Sequence, residues 1–275
     1  MSASLDAATR AHFTARAATY SGGGDESLRA MLELAAPQRG ERVLDVATGT
    51  GLVLFRLAEA VGVGGLAAGI DFTPAMLEQA AGRRAETLRK GASDAVRPSL
   101  ASLVAADAVR LPFFEACFDV ITCRFSVHHM SDAEAGLAAM AAALRPGGRL
   151  VIADFVRPDA TDAPGDPDAG ARHDQLERLR GHVYGRIYER ASLERLMAGA
   201  GCPVQEARPT ERAADPRDWL SLPHLTAEDR ETLAGLVDEI TTRGTGAGFE
   251  VRRDGDGDDV RFVRADVVLL GIKGG

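Results

Sequence analysis

The chain has 275 residues, of which 45% are hydrophobic, and it carries a net charge of −8 at pH 7. This length can bury a sizeable core, as one large domain or as a domain with a cap. An acidic chain without a lysine- or arginine-rich block argues against a nucleic-acid partner, because affinity for nucleic acid comes mostly from cations that contact phosphates.

The cysteines and the apolar runs indicate the cellular compartment of the protein. Three cysteines, Cys117, Cys123 and Cys202, form no C-x-x-C pair, which argues against a disulfide framework or a structural zinc site and fits a reducing compartment. No apolar run approaches the ~20 residues of a membrane-spanning helix. We therefore predict a cytoplasmic protein, monomeric or homodimeric, with no metal site and no contact with a membrane.

The first half of the chain alternates short apolar runs with helical stretches. The predicted strands are 43–47, 66–70, 102–106, 118–123 and 149–155. The predicted helices between them lie near 51–61, 74–90 and 132–144, and Thr73 and Pro74 have the residue types of a helix start. Strands that alternate with helices predict right-handed βαβ units and a parallel sheet.

The second half begins with a linker rich in Pro, Asp and Gly at 157–170 and ends in a clear strand at 262–272. Between them the pattern predicts helices near 171–181 and 191–200, a strand near 203–209 and further helices around 215–243, and the segment 244–259 is rich in Gly and Asp. The acidic run 254–259 lacks the sixth-position glycine of a calcium loop, where it has Asp259, and the closing glutamate, so we interpret it as a solvated hairpin loop.

A glycine-rich loop follows the first strand, in the sequence VLDVATGTG at 43–51. Glycines there let the chain turn sharply and let a ligand approach the backbone at a helix N-terminus. A dinucleotide fingerprint would place a third glycine where this chain has Leu54, and a phosphate-binding Walker loop would need a lysine that is absent. A zwitterionic amino acid, whose carboxylate can accept from the loop N–H groups, stays open as the ligand.

Asp71 ends the second predicted strand, about twenty residues after the glycines. A carboxylate at this point can accept two hydrogen bonds from a ribose diol. An aspartate that merely ends a strand is the alternative. The glycine loop nearby favours the ligand-binding interpretation.

Five ordered motifs give the chain a family resemblance: VLDVATGTG (43–51), GIDFTPAML (69–77), DAVRLPFFEACFDVITCRF (107–125), HH (128–129) and LRPGGRLVIADF (144–155). Together they resemble class I S-adenosylmethionine-dependent methyltransferases, in particular the ubiquinone and menaquinone methyltransferases and their small-molecule relatives. The resemblance implies a Rossmann-like α/β fold with a seven-stranded, mostly parallel sheet, an antiparallel last strand and helices on both faces. It also implies S-adenosylmethionine as cofactor and a small-molecule substrate.

The resemblance divides the single domain of 1–275 into N-terminal lid helices (1–35), a cofactor-binding core (36–157), substrate-side insertions with a cap (158–261) and the closing strand. It assigns to the cofactor Tyr20, Asp45, Ala47, Gly49, Thr50, Gly51, Asp71, Phe72, Met76, Asp107, Ala108 and Arg124. Within this set, the resemblance places Asp71 at the ribose, Phe72 beside the adenine and Asp107 at the adenine amine. Asp45 is expected to hold the glycine loop, directly or through water, at the methionine amine.

Two positions differ from the quinone methyltransferases. Leu52 stands where those enzymes usually carry an acid, and Val127 to Met130 replace an Asn-containing turn. These differences weigh against methylation of a quinone carbon.

The histidines after the fourth strand are the candidate bases. Transfer from a sulfonium needs alignment and exclusion of water, whereas a base is needed only by some acceptors. His128 and His129 lie next to the expected methyl group, and a loop histidine bonded to the backbone is the alternative. His182 is a weaker candidate for lining a substrate cap. Trp219, Tyr184, Tyr188 and Phe155 are candidates for an apolar acceptor pocket.

Two other functions stay open from the sequence. A nucleotide-linked oxidoreductase would use the same kind of fold, although Leu54 weighs against it. A protein that binds the cofactor without transferring a methyl group is also compatible, since no single residue is obligatory for the displacement.

Overall fold

A computed structural model describes residues 2–19, 26–89, 101–158, 168–180, 186–222, 225–253 and 259–275. Tyr20, His182, Tyr184 and most of the acidic run 254–259 lie outside these ranges. None of the helices in the described ranges is both long and apolar enough to cross a bilayer.

The strands confirm the predicted βαβ pattern, with longer elements in the second half. They are β1 Arg42–Val46, β2 Leu66–Asp71, β3 Ser102–Ala105, β4 Phe118–Arg124, β5 Leu144–Phe155, β6 Val204–Ala214, β7 Thr245–Gly246, β8 Phe249–Arg253 and β9 Val260–Ile272. The helices are α1 Ser2–Arg16, α2 Glu26–Ala35, α3 Leu52–Val61, α4 Pro74–Arg89, α5 Ala133–Ala143, α6 Ala169–Leu179, α7 Arg190–Gly199, α8 Pro216–Leu220 and α9 Ala227–Arg243.

One sheet joins all of these strands. Its order is β3-β2-β1-β4-β5-β9, where β1 to β5 pair in parallel and β9 runs antiparallel to β5. β6 pairs antiparallel with β9 and completes the predicted seven strands. The predicted antiparallel closing strand is therefore confirmed.

The count of seven strands was too low, because two more strands extend the sheet. β9 begins at Val260, and its first five residues pair with β8, which in turn pairs with β7. Only the later part of β9, from Asp266, pairs with β5. Within the Gly/Asp-rich segment over 244–259, residues 245–253 thus form a hairpin, which covers an edge that the early residues of β9 would otherwise leave open.

Helices cover both faces of the sheet, and each face has its own core. On one face, α5 and α7 pack on a cluster that includes Leu137, Met197 and Leu269, while on the other α2 and α3 contribute Met31 and Leu57. The inner strands are buried on both sides, as in other covered parallel sheets.

A third cluster surrounds the hairpin and changes the interpretation of Trp219. This side chain is 4% exposed and packs against Phe249 and Phe262, with the Arg180 guanidinium 4.1 Å from its ring centroid. The prediction that Trp219 lines an acceptor pocket was wrong. The hairpin, which the sequence pattern did not show, supplies the apolar partners that bury it.

Candidate functional site

The glycine loop and Asp71 meet at the carboxyl ends of β1 and β2. The N–H of Gly49 donates to Asp71 Oδ2 at 2.8 Å, and the N–H of Thr73 donates to Oδ1 at 2.8 Å. Asp71 is 7% exposed, and burial raises the pKa of its carboxyl group. A carboxylate can accept about four hydrogen bonds, so this one joins the loop to β2 and keeps acceptor capacity for a ligand.

Asp45 anchors the same loop through hydrogen bonds with two threonine hydroxyls. Its carboxylate accepts from the hydroxyls of Thr48 and Thr122, each at 2.7 Å, so it ties the loop to β4. Asp45 is 1% exposed, and burial raises its pKa to about 6 even though both hydroxyls lower it. Asp45 therefore contacts the loop through the Thr48 hydroxyl.

The pKa of Asp45 predicts a pH-dependent stability. The unfolded carboxyl ionises near pH 3.9, whereas the folded one stays protonated until about pH 6, so the free energy of unfolding falls as pH rises through this window. Asp45→Asn removes the titration. Between pH 4.5 and 7.5 the parent chain should lose about 2 kcal/mol relative to this variant, in urea unfolding curves. A stability difference that stays constant over this pH range would contradict the assignment.

Left-handed backbone marks the ends of two central strands. Ala47 has φ 55° after β1, and Phe125 has φ 51° after β4. Such conformations cost of order 1–3 kcal/mol in non-glycine residues and cluster at functional sites. Gly51 has φ 84°, and an added Cβ would lie 2.5 Å from the Phe55 ring. The backbone angle at this position and its packing against Phe55 therefore require a glycine, whether or not a ligand also approaches it.

A small cavity of about 50 Å³ opens beside Asp71. Six of the residues predicted from the sequence line it: Ala47, Asp71, Phe72, Asp107, Ala108 and His129. Asp6 and Thr9 of α1 also line the cavity. The Arg10 guanidinium, on the same helix, lies 5.0 Å from the Phe72 ring centroid. The strand ends and the N-terminal helix thus enclose one pocket.

The two histidines of the predicted pair occupy different surroundings. His129 lines the small cavity and meets the ring of Phe13 edge-on, with 5.0 Å between centroids. His128 is 2% exposed, and its Nδ1 bonds to Asp154 Oδ1. The N–H of His128 also donates to Asp154 Oδ2 at 3.1 Å. The sequence hypothesis did not distinguish these roles.

Similarity to known proteins shows the family of the region that contains the pocket. A profile of the ubiE/COQ5 methyltransferase family matches residues 27–163, about half of the chain. Through these residues the chain belongs to the ubiE/COQ5 methyltransferase family. The matched region contains the glycine loop, Asp71 and the His128–Asp154 pair.

Two curated relatives show how far the sequence similarity extends. The demethylmenaquinone methyltransferase of Beutenbergia cavernae is 42% identical over 130 residues, which are 47% of this chain and 47% of that protein. The UbiE C-methyltransferase of Azotobacter vinelandii is 37% identical over 130 residues, or 47% and 48% of the two chains. The chain thus aligns with about half the length of the curated relatives it matches.

Solved structures share the fold over a longer range. The YcgJ protein of Bacillus subtilis superposes with a TM-score of 0.72 at 23% identity, over 90% of this chain and 98% of that one. The [4+2]-cyclase SpnF superposes with a TM-score of 0.56 at 19% identity, over 90% and 79%. These neighbours establish the Rossmann-like fold of class I methyltransferases, and the fold alone does not fix the reaction.

Other predicted residues of this methyltransferase-family chain lie around the pocket without lining it. Thr50 is 2% exposed and its hydroxyl accepts from Arg83, while Met76 is 2% exposed at the start of α4. Arg124 bonds Ser27 Oγ on α2 and lies 4.5 Å from the Phe125 ring centroid. Tyr20 lies outside the described residues.

Asp154 was missed in the sequence, although it fixes His128. It is an acid inside the apolar run LVIADF at the carboxyl end of β5 and is 1% exposed. A charged residue at that point of a buried strand is a usable signal, because buried carboxylates need specific partners. Among the described residues no group of three or more His, Cys, Asp or Glu side chains is placed to hold a metal ion.

Proposed function

We propose that the chain transfers a methyl group from S-adenosylmethionine to a small organic acceptor. The observation that carries the proposal is the junction of the glycine loop with Asp71, inside the region that matches the methyltransferase family. The names of the curated relatives favour a quinone-type acceptor, whereas Leu52 and the His128–His129 turn argue for a different one.

The chemistry of the pocket fits this cofactor. Asp71 offers acceptor positions for ribose hydroxyls, and Phe72 and Asp107 lie on the same cavity, where a ring and a carboxylate suit adenine. The cavity is far smaller than the ~300–1,000 Å³ typical of ligand pockets. α1 supplies Asp6 and Thr9 to the wall, so a cofactor bound in this cavity would contact α1.

His128 and Asp154 are the proposed proton acceptor of the reaction. When bound, the cofactor would supply an electrophilic methyl group to a lone pair of the acceptor, with the sulfur as the leaving group. Asp154 accepts from Nδ1 of His128, which leaves Nε2 as the basic nitrogen of the neutral ring. The proton that an oxygen or nitrogen acceptor loses would pass to that nitrogen.

We expect S-adenosylhomocysteine to stabilise the protein. A ligand that binds only the folded state adds about 2.7 kcal/mol at a concentration of 100 times Kd, which is about 5–10 °C in Tm for a chain of this size. NADH, tested as the control, should leave Tm unchanged. A shift with NADH and none with S-adenosylhomocysteine would reject the proposed donor.

Transfer itself needs a separate measurement. Tritium from methyl-labelled S-adenosylmethionine should enter a compound of a metabolite extract when the parent chain is present and stay in the donor without it. Binding of S-adenosylhomocysteine without label in any extract compound would point to a cofactor-binding protein that performs no transfer.

A further inference from the structure

A second and larger cavity lies at the carboxyl end of β5, the strand that carries Asp154. It measures about 720 Å³, within the ~300–1,000 Å³ range of small-molecule pockets. Its wall is formed where β5 ends and the hairpin β7–β8 begins to pair with β9, and it includes Val156, Phe249, Ala265 and Val267. We call it the β9 cavity.

Neither His128 nor Asp154 lines the β9 cavity, but two sets of contacts connect its wall with the pair. Val267 on its wall is paired in register with Asp154, the residue that holds His128. On the other face of the sheet, the Phe155 ring lies 4.7 Å from the His128 ring, and the Arg264 guanidinium lies 3.7 Å above Phe155. Arg264 and Phe155 therefore connect the cavity wall with the His128 ring.

Arg264 gives the cavity a specific chemistry. It lines the wall and is 6% exposed, yet neither its Nε nor its Nη1 makes a hydrogen bond. Its Nε lies 3.4 Å from Oδ1 of Asp266, which also lines the wall, and its Nη1 lies 3.5 Å from Oε1 of Glu177. These are ion pairs without hydrogen-bond geometry, and the planar fork of a guanidinium matches an oxyanion better than either contact does.

The other charged residues on the wall form no hydrogen bond with the Nε and Nη1 groups of Arg264. The remaining arginines, Arg157, Arg190 and Arg243, bond to carboxylates outside the cavity. The remaining carboxylates, Glu211 and Glu250, bond to Arg252 at the exposed rim. Nε of Arg157 also makes no hydrogen bond, but the Arg157 side chain is 25% exposed, whereas that of Arg264 is 6% exposed, so Arg264 is the more deeply buried of the two.

We infer that the β9 cavity binds the methyl acceptor and that the acceptor is a small organic acid whose carboxylate or other oxyanion bonds to Arg264. The inference rests on the proposed function and narrows its substrate class. It differs from a neutral quinone acceptor, because a neutral ring would supply no oxyanion to the guanidinium fork of Arg264.

Matched probes test the charge requirement. We expect 2-naphthoate to bind to the protein saturated with S-adenosylhomocysteine at least tenfold more tightly than 2-naphthamide, which has the same shape and no charge. Isothermal titration of both compounds measures the ratio. Equal affinities would overturn the inference.

Matched variants test the location. Ala265 is exposed and lines the cavity, so Ala265→Phe fills the space without disturbing the core, whereas Ala213→Phe adds the same ring on the neighbouring strand outside the cavity. Ala265→Phe should weaken 2-naphthoate binding at least tenfold, and Ala213→Phe should leave it unchanged. Parent-like binding in Ala265→Phe would place the probe elsewhere and reject the inference.

Arg264→Lys and Arg264→Met complete the test. Both should lose most of the preference for naphthoate over naphthamide, since lysine keeps the charge and loses the fork. Their affinity for S-adenosylhomocysteine should equal that of the parent chain, which also shows that they fold. If the parent chain binds naphthoate but does not bind S-adenosylhomocysteine, the assignment of the methyl donor is wrong, whereas the assignment of the β9 cavity as an anion-binding site is retained.

The labelled product gives an independent outcome. In the extract experiment, the tritiated compound should bind to an anion-exchange resin at pH 8. Label found only in neutral compounds, which the resin does not retain, would contradict an acidic acceptor. The proposal that the chain transfers a methyl group would still hold.

Discussion

Asp71→Ala should raise the dissociation constant of S-adenosylhomocysteine at least ~10-fold. Two ribose hydroxyls bonded to a partly buried carboxylate contribute about 1.5–3 kcal/mol each, and water that enters the gap offsets only part of their loss. Each 1.4 kcal/mol lost is a factor of ten in affinity. Asp107→Ala, the matched control on the same cavity, should have a smaller effect, because Asp107 is expected to make a single contact with the adenine amine.

The same substitution should also lower stability. The N–H groups of Gly49 and Thr73 both lose their acceptor, and a loss of about 3 kcal/mol corresponds to about 6–12 °C in Tm for a chain of this size. Calorimetric titration at a temperature where the variant is folded separates the two effects. A lower Tm with unchanged affinity would show that Asp71 only anchors the glycine loop.

The sequence was sufficient to predict the side of the site that local motifs build. Glycines after a buried strand and an acid at the end of the next one lie at the same sheet edge whenever the strands are parallel neighbours. The pairing of β1 with β2 brings Gly49 and Asp71 together for this reason. The burial of Asp45 also follows from its position inside a strand that is covered on both faces.

The acceptor side could not be predicted in the same way, because it depends on contacts between distant segments. Arg264 and Glu177 are separated by the whole of β6 to β8, and the hairpin that buries Trp219 forms only because β9 extends past β5. No spacing rule connects these residues. Asp154 is intermediate: its position was visible in the sequence, whereas its partner His128 required the register of β4 against β5.

His128→Asn should reduce the rate of methyl transfer by about 10²–10⁴-fold, the usual contribution of a positioned base. The acceptor for this assay is the extract fraction that takes up label. Asp154→Asn should also slow transfer, because an amide no longer fixes the ring tautomer that leaves Nε2 basic. Both variants should bind S-adenosylhomocysteine with parent affinity, since neither residue lines the small cavity.

The pH dependence distinguishes a base from a buried structural pair. Without the base, transfer must wait for the acceptor to lose its own proton, so the rate of His128→Asn should rise about tenfold per pH unit below the acceptor's pKa. His129→Asn, the matched control beside it, should keep the parent's profile. A purely structural His128–Asp154 pair predicts a lower Tm in both variants, together with pH–rate profiles parallel to that of the parent chain. Parallel profiles would therefore remove His128 from the mechanism and leave an acceptor that needs no base, such as a thiolate.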